Sequence, residues 1–356
     1  MHVRKLNSSI IFATVLSGAV SLAHAQPTVP EVSTYDPATA NSEIMPIKQM
    51  MLALYTDIVK TASGAVAIGE RGHILYSSDM RDWKQSVSPT RSLLTNAFAL
   101  GNEIWAVGHE QVILHSSDNG STWNRQYLKL DAFGPLLDVL FLDAKRGFAI
   151  GVEGAILSTN DGGASWSESV ITDKVVQSAA VEVAEVEEVD SDVASDDIGI
   201  DETPPHLNAI AQSKRGLMIV GESGAVFSSA NQGASWVRRA LPYNGSMFGV
   251  ITLDDDSMAA FGLNGNVFLT ADLGASWQKL SSDTDASIMG GAAASNGRAV
   301  FVGARGVVLT KGSNTTQLAK FIFQDGGSLA GVLPISDDEF VVVGENGIKT
   351  FKPERK

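Results

Sequence analysis

The sequence predicts an all-β protein: a seven-bladed β-propeller of four-stranded antiparallel blades. Three observations carry that prediction. A short apolar strand ending in glycine recurs seven times, with its glycine at Gly69, Gly108, Gly151, Gly221, Gly262, Gly303 and Gly344. The copies are 39, 43, 70, 41, 41 and 41 residues apart, which is an array of one repeated unit broken by one insertion. The last unit, Leu329 to Lys356, holds three strands and no fourth, as a ring completed by a strand from elsewhere would require. An open solenoid and two separate sandwiches are the alternatives, and the even spacing with the missing last strand favours closure. Repeats share their core with their neighbours, so residues 48–356 form one domain.

Each element follows in order. Met1 to Ala25 reads as a secretory signal peptide, with Arg4 and Lys5 before the mostly apolar stretch Ile10 to Leu22 and Ala23-His24-Ala25 as the cleavage site. The stretch is short for a bilayer span, so no membrane insertion is expected after cleavage. Residues 26–47 are a proline-bearing leader, and a segment within Val29 to Lys48 is predicted to supply the outer strand that the seventh unit lacks. A closed ring leaves no sheet edge exposed. Within a unit, a first strand such as Leu136–Asp143 leads through a polar hairpin to the apolar second strand. That second strand does not alternate, which predicts burial on both faces. The glycines are expected to give the positive φ of a tight turn into the third strand.

After the third strand stands a second signature. Ser116 to Trp123, Thr159 to Trp166 and Thr270 to Trp277 fit S/T-x-D-x-G-x-S/T-W. Ser229 to Trp236 fits with Asn231 in place of the aspartate, and Ser77 to Trp83 is a shortened form. Asp118, Asp161, Asn231 and Asp272 are expected to cap their own turns, and Trp123, Trp166, Trp236 and Trp277 to pack the strand that follows. The octets resemble the Asp-box of the bacterial neuraminidase repeat.

The long interval between Gly151 and Gly221 places an insertion at residues 171–205, after the third blade. Its segment Val181 to Glu202 holds ten acidic residues in 22 and no basic one, the composition of a solvated, disordered loop. In blades run in order, the turns between strands two and three share one rim with the crossings to the next blade. The seven glycine turns and the insertion therefore fall on one face. That rim carries Glu70, Glu110, Glu153, Glu222 and Glu345, with Arg71 and Arg305 as its basic residues. It is the expected partner-binding surface, since loops on one rim are the usual seat of function. The formal net charge of −14 fits a basic protein surface and argues against nucleic acid.

No catalytic constellation is visible. The chain has no cysteine, so it holds no disulfide and no thiolate chemistry. His109-Glu110 and His115 are spaced HExxxxH, and on a turn and strand the two histidines would stand about 20 Å apart, too far to share a metal ion. No phosphate-cradling loop with lysine and no cofactor motif is present. Neither a metal nor a cofactor is expected. A sialidase-like glycoside hydrolase or a glycan-binding protein is the alternative. It would need a central arginine cluster with a carboxylate and an aromatic platform, and the arginines fall in hairpins or after the repeat tryptophans.

Taken together, the glycine turns and the octets that follow them resemble the photosystem II assembly and stability factor family, also described as sialidase-like BNR-repeat propellers. The resemblance runs from about Met50 to Phe351. In photosynthetic members it implies a lumenal propeller that chaperones a membrane-protein subunit during assembly. Those members carry a basic arginine patch, whereas here Arg71 and Arg305 stand among glutamates, a departure that points away from the photosynthetic client. Similar proteins occur in non-photosynthetic proteobacteria, often beside exporters of the resistance-nodulation-division type. The resemblance therefore implies a non-enzymatic periplasmic accessory factor, a monomer on its own, whose protein partner is the exported part of an inner-membrane complex.

Overall fold

The computed structural model describes residues 36–171, 203–253, 256–295, 297–336 and 338–353. The chain divides into two compact units. Met1–Tyr35, which includes the predicted signal peptide, lies outside the described residues, and Asp36–Lys356 holds all the sheets. There are seven sheets in chain order, each with its strands in simple sequence, six of four strands and the last of three among the described residues. Blade 1 shows the pattern: Tyr55–Thr61, Gly64–Gly69, Ile74–Ser77 and Lys84–Ser86 pair successively, all antiparallel. First strands are innermost, and each packs against the first strand of the next blade. The first strand of blade 7, Leu329–Pro334, packs back on Tyr55–Thr61, so the ring is closed.

The core divides into seven apolar clusters, one at each seam between blades. The second strands supply much of it because both their faces meet a sheet; Ala65 to Gly69, for example, are all buried. At the seam of blades 2 and 3, Trp105 stacks on Phe141 with ring centroids 3.6 Å apart, and Trp166 meets Phe141 edge-on. Octet tryptophans close such seams: Trp123 that of blades 1 and 2, Trp236 that of blades 3 and 4, Trp277 that of blades 4 and 5. They therefore cover the seam with the preceding blade rather than serving only their own hairpin.

The octets themselves are hydrogen-bonded turns. Asp161 Oδ1 accepts from Thr159 Oγ1 (2.8 Å) and Ser165 N (2.9 Å), Asp161 Oδ2 from Ser165 Oγ (2.6 Å), and Gly163 N donates to Thr159 Oγ1 (2.9 Å). Asp118, Asn231 and Asp272 stand in the same relation to their turns. These hydrogen bonds to the ionised carboxyl hold Asp161 and Asp272 down at about 2.

The turn glycines have two different jobs, and the expectation of positive φ holds only for the second of each pair. Gly72 has φ +68°, whereas Gly69 is extended at −172°. A Cβ on Gly69 would lie 2.1 Å from Leu54 O, the carbonyl just ahead of the first strand of its own blade. The other six first glycines face the corresponding carbonyl in the same way. Close approach of two backbones, not turn handedness, requires glycine there.

The described leader does not lie on blade 7. Ser42 N donates to Ser88 O (2.9 Å), Met45 N to Gln85 Oε1 (2.9 Å), and Arg91 pairs with Glu43 (2.7 Å), so residues 41–45 run along the outer edge of blade 1. The rest of the predicted closing segment, residues 29–35, lies outside the described residues. So does the acidic run Val181 to Glu202 of the insertion. The ends of the insertion are both fixed to the blade 3 turn, where Ile171 N donates to Gly154 O (2.9 Å) and Gly154 N to Pro205 O (3.0 Å).

Candidate protein-binding rim

One rim of the ring is built from the seven glycine turns and the crossings between blades. The residue after each first glycine donates its N–H to the carbonyl that opens its blade, as Glu70 N does to Leu54 O (3.1 Å) and Ala304 N to Ser287 O (2.9 Å). Where that residue is glutamate, its carboxylate returns to the same strand opening: Glu70 Oε1 accepts from Leu54 N (3.2 Å), Glu222 Oε2 from His206 N (3.2 Å) and Glu345 Oε2 from Ser328 N (2.9 Å). Three of the five predicted rim glutamates thus fasten the turn to the first strand. Glutamate directly after the glycine is the sequence signal that distinguishes them.

Glu110 and Glu153 occupy the next position, which is left-handed in six blades and carries Arg71, Glu110, Glu153, Ser223, Asn264 and Arg305 at φ between +51° and +58°. These side chains leave the turn rather than fasten it. Glu153 meets Glu222 through one imidazole at the seam of blades 3 and 4: Glu153 N donates to His206 Nδ1 (3.1 Å), and that nitrogen lies 3.5 Å from Glu222 Oε2. Arg305 pairs with Asp285 of the adjoining crossing, and Arg71 is exposed. Glu70, Arg71, Glu110, Glu153, Glu222, Arg305 and Glu345 are spread one turn per blade around the rim, and only Glu153 and Glu222 are joined through a shared partner.

The blade 2 turn differs from the rest. Gln111 replaces the second glycine and takes φ +47° directly after Glu110 at +53°, so two consecutive side-chain-bearing residues are left-handed. Glu110 Oε2 and Gln111 Oε1 are buried without a hydrogen-bond partner, and Gln111 is 8% exposed. Lys129 N donates to Glu110 O (2.9 Å), which ties the crossing from blade 2 to blade 3 to this turn. On that crossing Leu130 is 52% and Phe133 82% exposed. An aromatic ring so exposed beside a strained turn is the most conspicuous feature of the rim, and the charge pattern of the turns gives no signal for it.

A second set of residues stands in the inner ring, close below the rim. Every first strand has a bulge near its start. At the position after it, Asp57 Oδ2 accepts from Ala97 N of blade 2 (3.0 Å). Asp138 accepts from Val139 N (2.7 Å) and, across the seam, from Ile210 N of blade 4 (2.7 Å). Burial pushes Asp57 up to about 6 and Asp138 up to about 8, although the hydrogen bonds from these amides pull the other way. Their signal in the sequence was a lone carboxylate within an apolar strand, as in YTDIV and LLDVL.

His115 Nε2 lies 2.6 Å from Glu103 Oε2, across the hairpin within blade 2. Among the described residues no three His, Cys, Asp or Glu side chains group as metal ligands.

No family model matches the chain, and no curated protein matches it at a significant level. Solved structures do. The chain is similar to YCF48 bound to a D1 peptide, at 15% identity over 90% of this chain and 96% of that one, with a TM-score of 0.62. It is similar to YCF48 from Cyanidioschyzon merolae, at 15% identity over 89% and 100%, with a TM-score of 0.61. The WD40 β-propeller domain of Doa1 matches with a TM-score of 0.63 at 11% identity over 90% and 97%. YCF48 and the Doa1 domain score alike, so the likeness is one of fold: this chain shares a propeller architecture with both.

Proposed function

We propose that the chain is a non-enzymatic accessory protein that holds a segment of a membrane-protein complex on the turn-and-crossing rim. The observation that carries this reading is the rim at blades 2 and 3, where Phe133 and Leu130 stand exposed beside the left-handed Glu110 and Glu153. An exposed aromatic anchor on a rim that also carries glutamates suits a polypeptide with apolar and basic residues. YCF48, a protein of the same fold, has been solved with a D1 peptide, which supports peptide capture as a use of such a ring. In the finer reading, residues 1–25 direct export to the periplasm and the octets are Asp-boxes of the BNR type. The chain is then of the non-photosynthetic proteobacterial kind, and its partner is the exported part of an inner-membrane complex, with a resistance-nodulation-division transporter as first candidate.

The test is affinity capture. Tagged protein is cross-linked in cells, recovered from solubilised membranes, and its partners are identified by mass spectrometry. One dominant membrane complex should be recovered by the wild type and lost from the double variant Phe133→Ala, Glu153→Lys, with the greater loss at low salt. Equal capture by that variant at every salt concentration rules this face out.

A further inference from the structure

We infer that Met45, Met51 and Met80 form an oxidation-sensitive clasp at the seam of blades 7 and 1. A hypohalous acid that turns their thioethers into sulfoxides loosens the closure of the ring. Four of the nine methionines meet at this one seam. Met50 is fully buried in its core. Met45, Met51 and Met80 are half-buried against the same cluster, which also holds Trp83 of blade 1 and Ile348 of blade 7.

This seam is linked differently from the other six. Elsewhere the crossing that leaves one blade continues into the next, whereas blade 7 follows blade 1 in the sequence and cannot reach it that way. Residues 47–53 take the place of the missing crossing. A Cβ on Gly347 would lie 1.9 Å from Met51 O. In the same way, one on Gly72 would lie 2.1 Å from Thr90 O and one on Gly265 2.1 Å from Thr284 O, both carbonyls of outgoing crossings. Ile348 N donates to Met51 O (3.2 Å), and Tyr55 Oη donates to Met50 O (3.0 Å). Met45 is fixed to the fourth strand of blade 1, where its N–H donates to Gln85 Oε1 (2.9 Å). Met80 comes from the shortened octet of blade 1 at φ +61°, the place from which Leu273 of blade 5 packs into the seam of blades 4 and 5. Thioether packing thus does here part of what a continuous backbone does at the other seams.

Thioethers are soft, flexible and apolar, which suits a seam that must be filled without a crossing. In the reaction with hypochlorous acid, the sulfur gives up an electron pair and gains an S–O bond. The O–Cl bond breaks, and chloride and a proton leave. The sulfoxide is polar and chiral, and burying it without a hydrogen-bond partner is costly. A methionine sulfoxide reductase with a dithiol reverses the step: the oxygen leaves as water, and the dithiol closes to a disulfide. The other methionines provide the contrast. Met218, Met247 and Met258, at the seam of blades 4 and 5, are at most 1% exposed. Met289, on the first strand of blade 6, is 45% exposed but lies outside the closing cluster.

The experiment treats the full chain with hypochlorous acid at increasing molar ratios and reads each methionine by peptide mass spectrometry. Met45, Met51, Met80 and Met289 should be oxidised about tenfold faster than Met218, Met247 and Met258. The melting temperature should then fall by about 5 °C. Amide exchange should quicken at residues 47–53 and 347–351 while the seam of blades 4 and 5 stays protected. The triple variant Met45→Leu, Met51→Leu, Met80→Leu keeps the apolar volume. It should melt as the untreated wild type does, before and after the acid, whereas Met289→Leu should stay as sensitive as the wild type. Methionine sulfoxide reductases with dithiothreitol should restore the oxidised wild type. An unchanged melt once Met45, Met51 and Met80 carry oxygen overturns the proposal, and so does resistance of these three to the acid. An equal fall in the triple variant, or no recovery with the reductases, also overturns it, because the damage then lies at other side chains.

Discussion

The inner ring is held by different means on its two sides. Through blades 1 to 4, side chains tie one first strand to the next: Thr56 Oγ1 donates to Leu94 O (2.7 Å), Thr95 Oγ1 to Leu136 O (2.7 Å) and Asn208 Nδ2 to Met247 O (2.9 Å). Asp57 and Asp138 add acceptors for amides of blades 2 and 4. In blades 5 to 7 the residue in the place of Asp57 is Gly249, Gly290 or Gly331. In blades 6 and 7 the backbones themselves approach: a Cβ on Gly290 would lie 2.2 Å from Ala330 O, and one on Gly331 3.2 Å from Ile58 N, while Gly249 makes room for the Phe261 ring of its own blade. One repeat with one bulge thus supports two solutions. A polar side chain bridges the gap but must be desolvated, and a glycine removes the gap.

The largest effect should come from the glycine side. Gly290→Val sets a branched side chain against the Ala330 carbonyl, where no flexible group can yield, and should destabilise the protein by about 3 kcal/mol or prevent folding. Denaturant titration measures it, and a near-neutral result would show that the close contact is slack.

On the polar side, Asp138→Asn retains one acceptor and turns an N–H toward the other amide, which should cost about 2 kcal/mol at pH 5. That cost should shrink toward pH 9. The folded carboxyl is raised to about 8 from an ordinary 3.8, so the wild type is fully favoured below 3.8 and loses this contribution as pH rises to about 8. Asp57 works in the same sense over a narrower window, ending at about 6. Unfolding curves of wild type and variant at both pH values check the sign, and a penalty that grows with pH would mean that Asp138 is ionised in the fold.

Thr95→Val removes the hydroxyl that donates to Val107 O and Leu136 O but keeps the shape, and should cost about 1 kcal/mol. The smallest change, and of opposite sign, is expected outside both halves. Gln111→Gly relieves a left-handed side chain with an unpaired buried oxygen and should stabilise by up to about 1 kcal/mol, read as a small rise in melting temperature. A fall would show that Gln111 makes a contact that its turn requires.

The repeat, its sevenfold count, the strand order and the octet turns were legible because each depends on residues within one unit. Thr159, Asp161, Gly163 and Ser165 specify their turn by hydrogen bonds that span at most four residues. The shared rim of turns and crossings followed from strand order alone. What each rim glutamate does became clear only when its place in the turn was matched to the backbone. Glu222 directly follows its glycine and Glu153 stands one position later, a small difference in sequence, yet one fastens a strand opening and the other projects from a left-handed residue. Phe133 gave no signal, because an apolar residue in a crossing reads as core until the packing shows it 82% exposed.

By itself, then, the sequence determined the blades, because hairpins, caps and tight turns form between near neighbours. Only the tertiary structure decided which blade leans on which, why the first turn glycines are needed, and what Asp57 and Asp138 do. Asp57 meets Ala97 across 40 residues and Asp138 meets Ile210 across 72, contacts that exist only once the ring has closed. Their raised pKa values have the same origin, since closing the ring removes the water that would otherwise stabilise the ionised carboxyls.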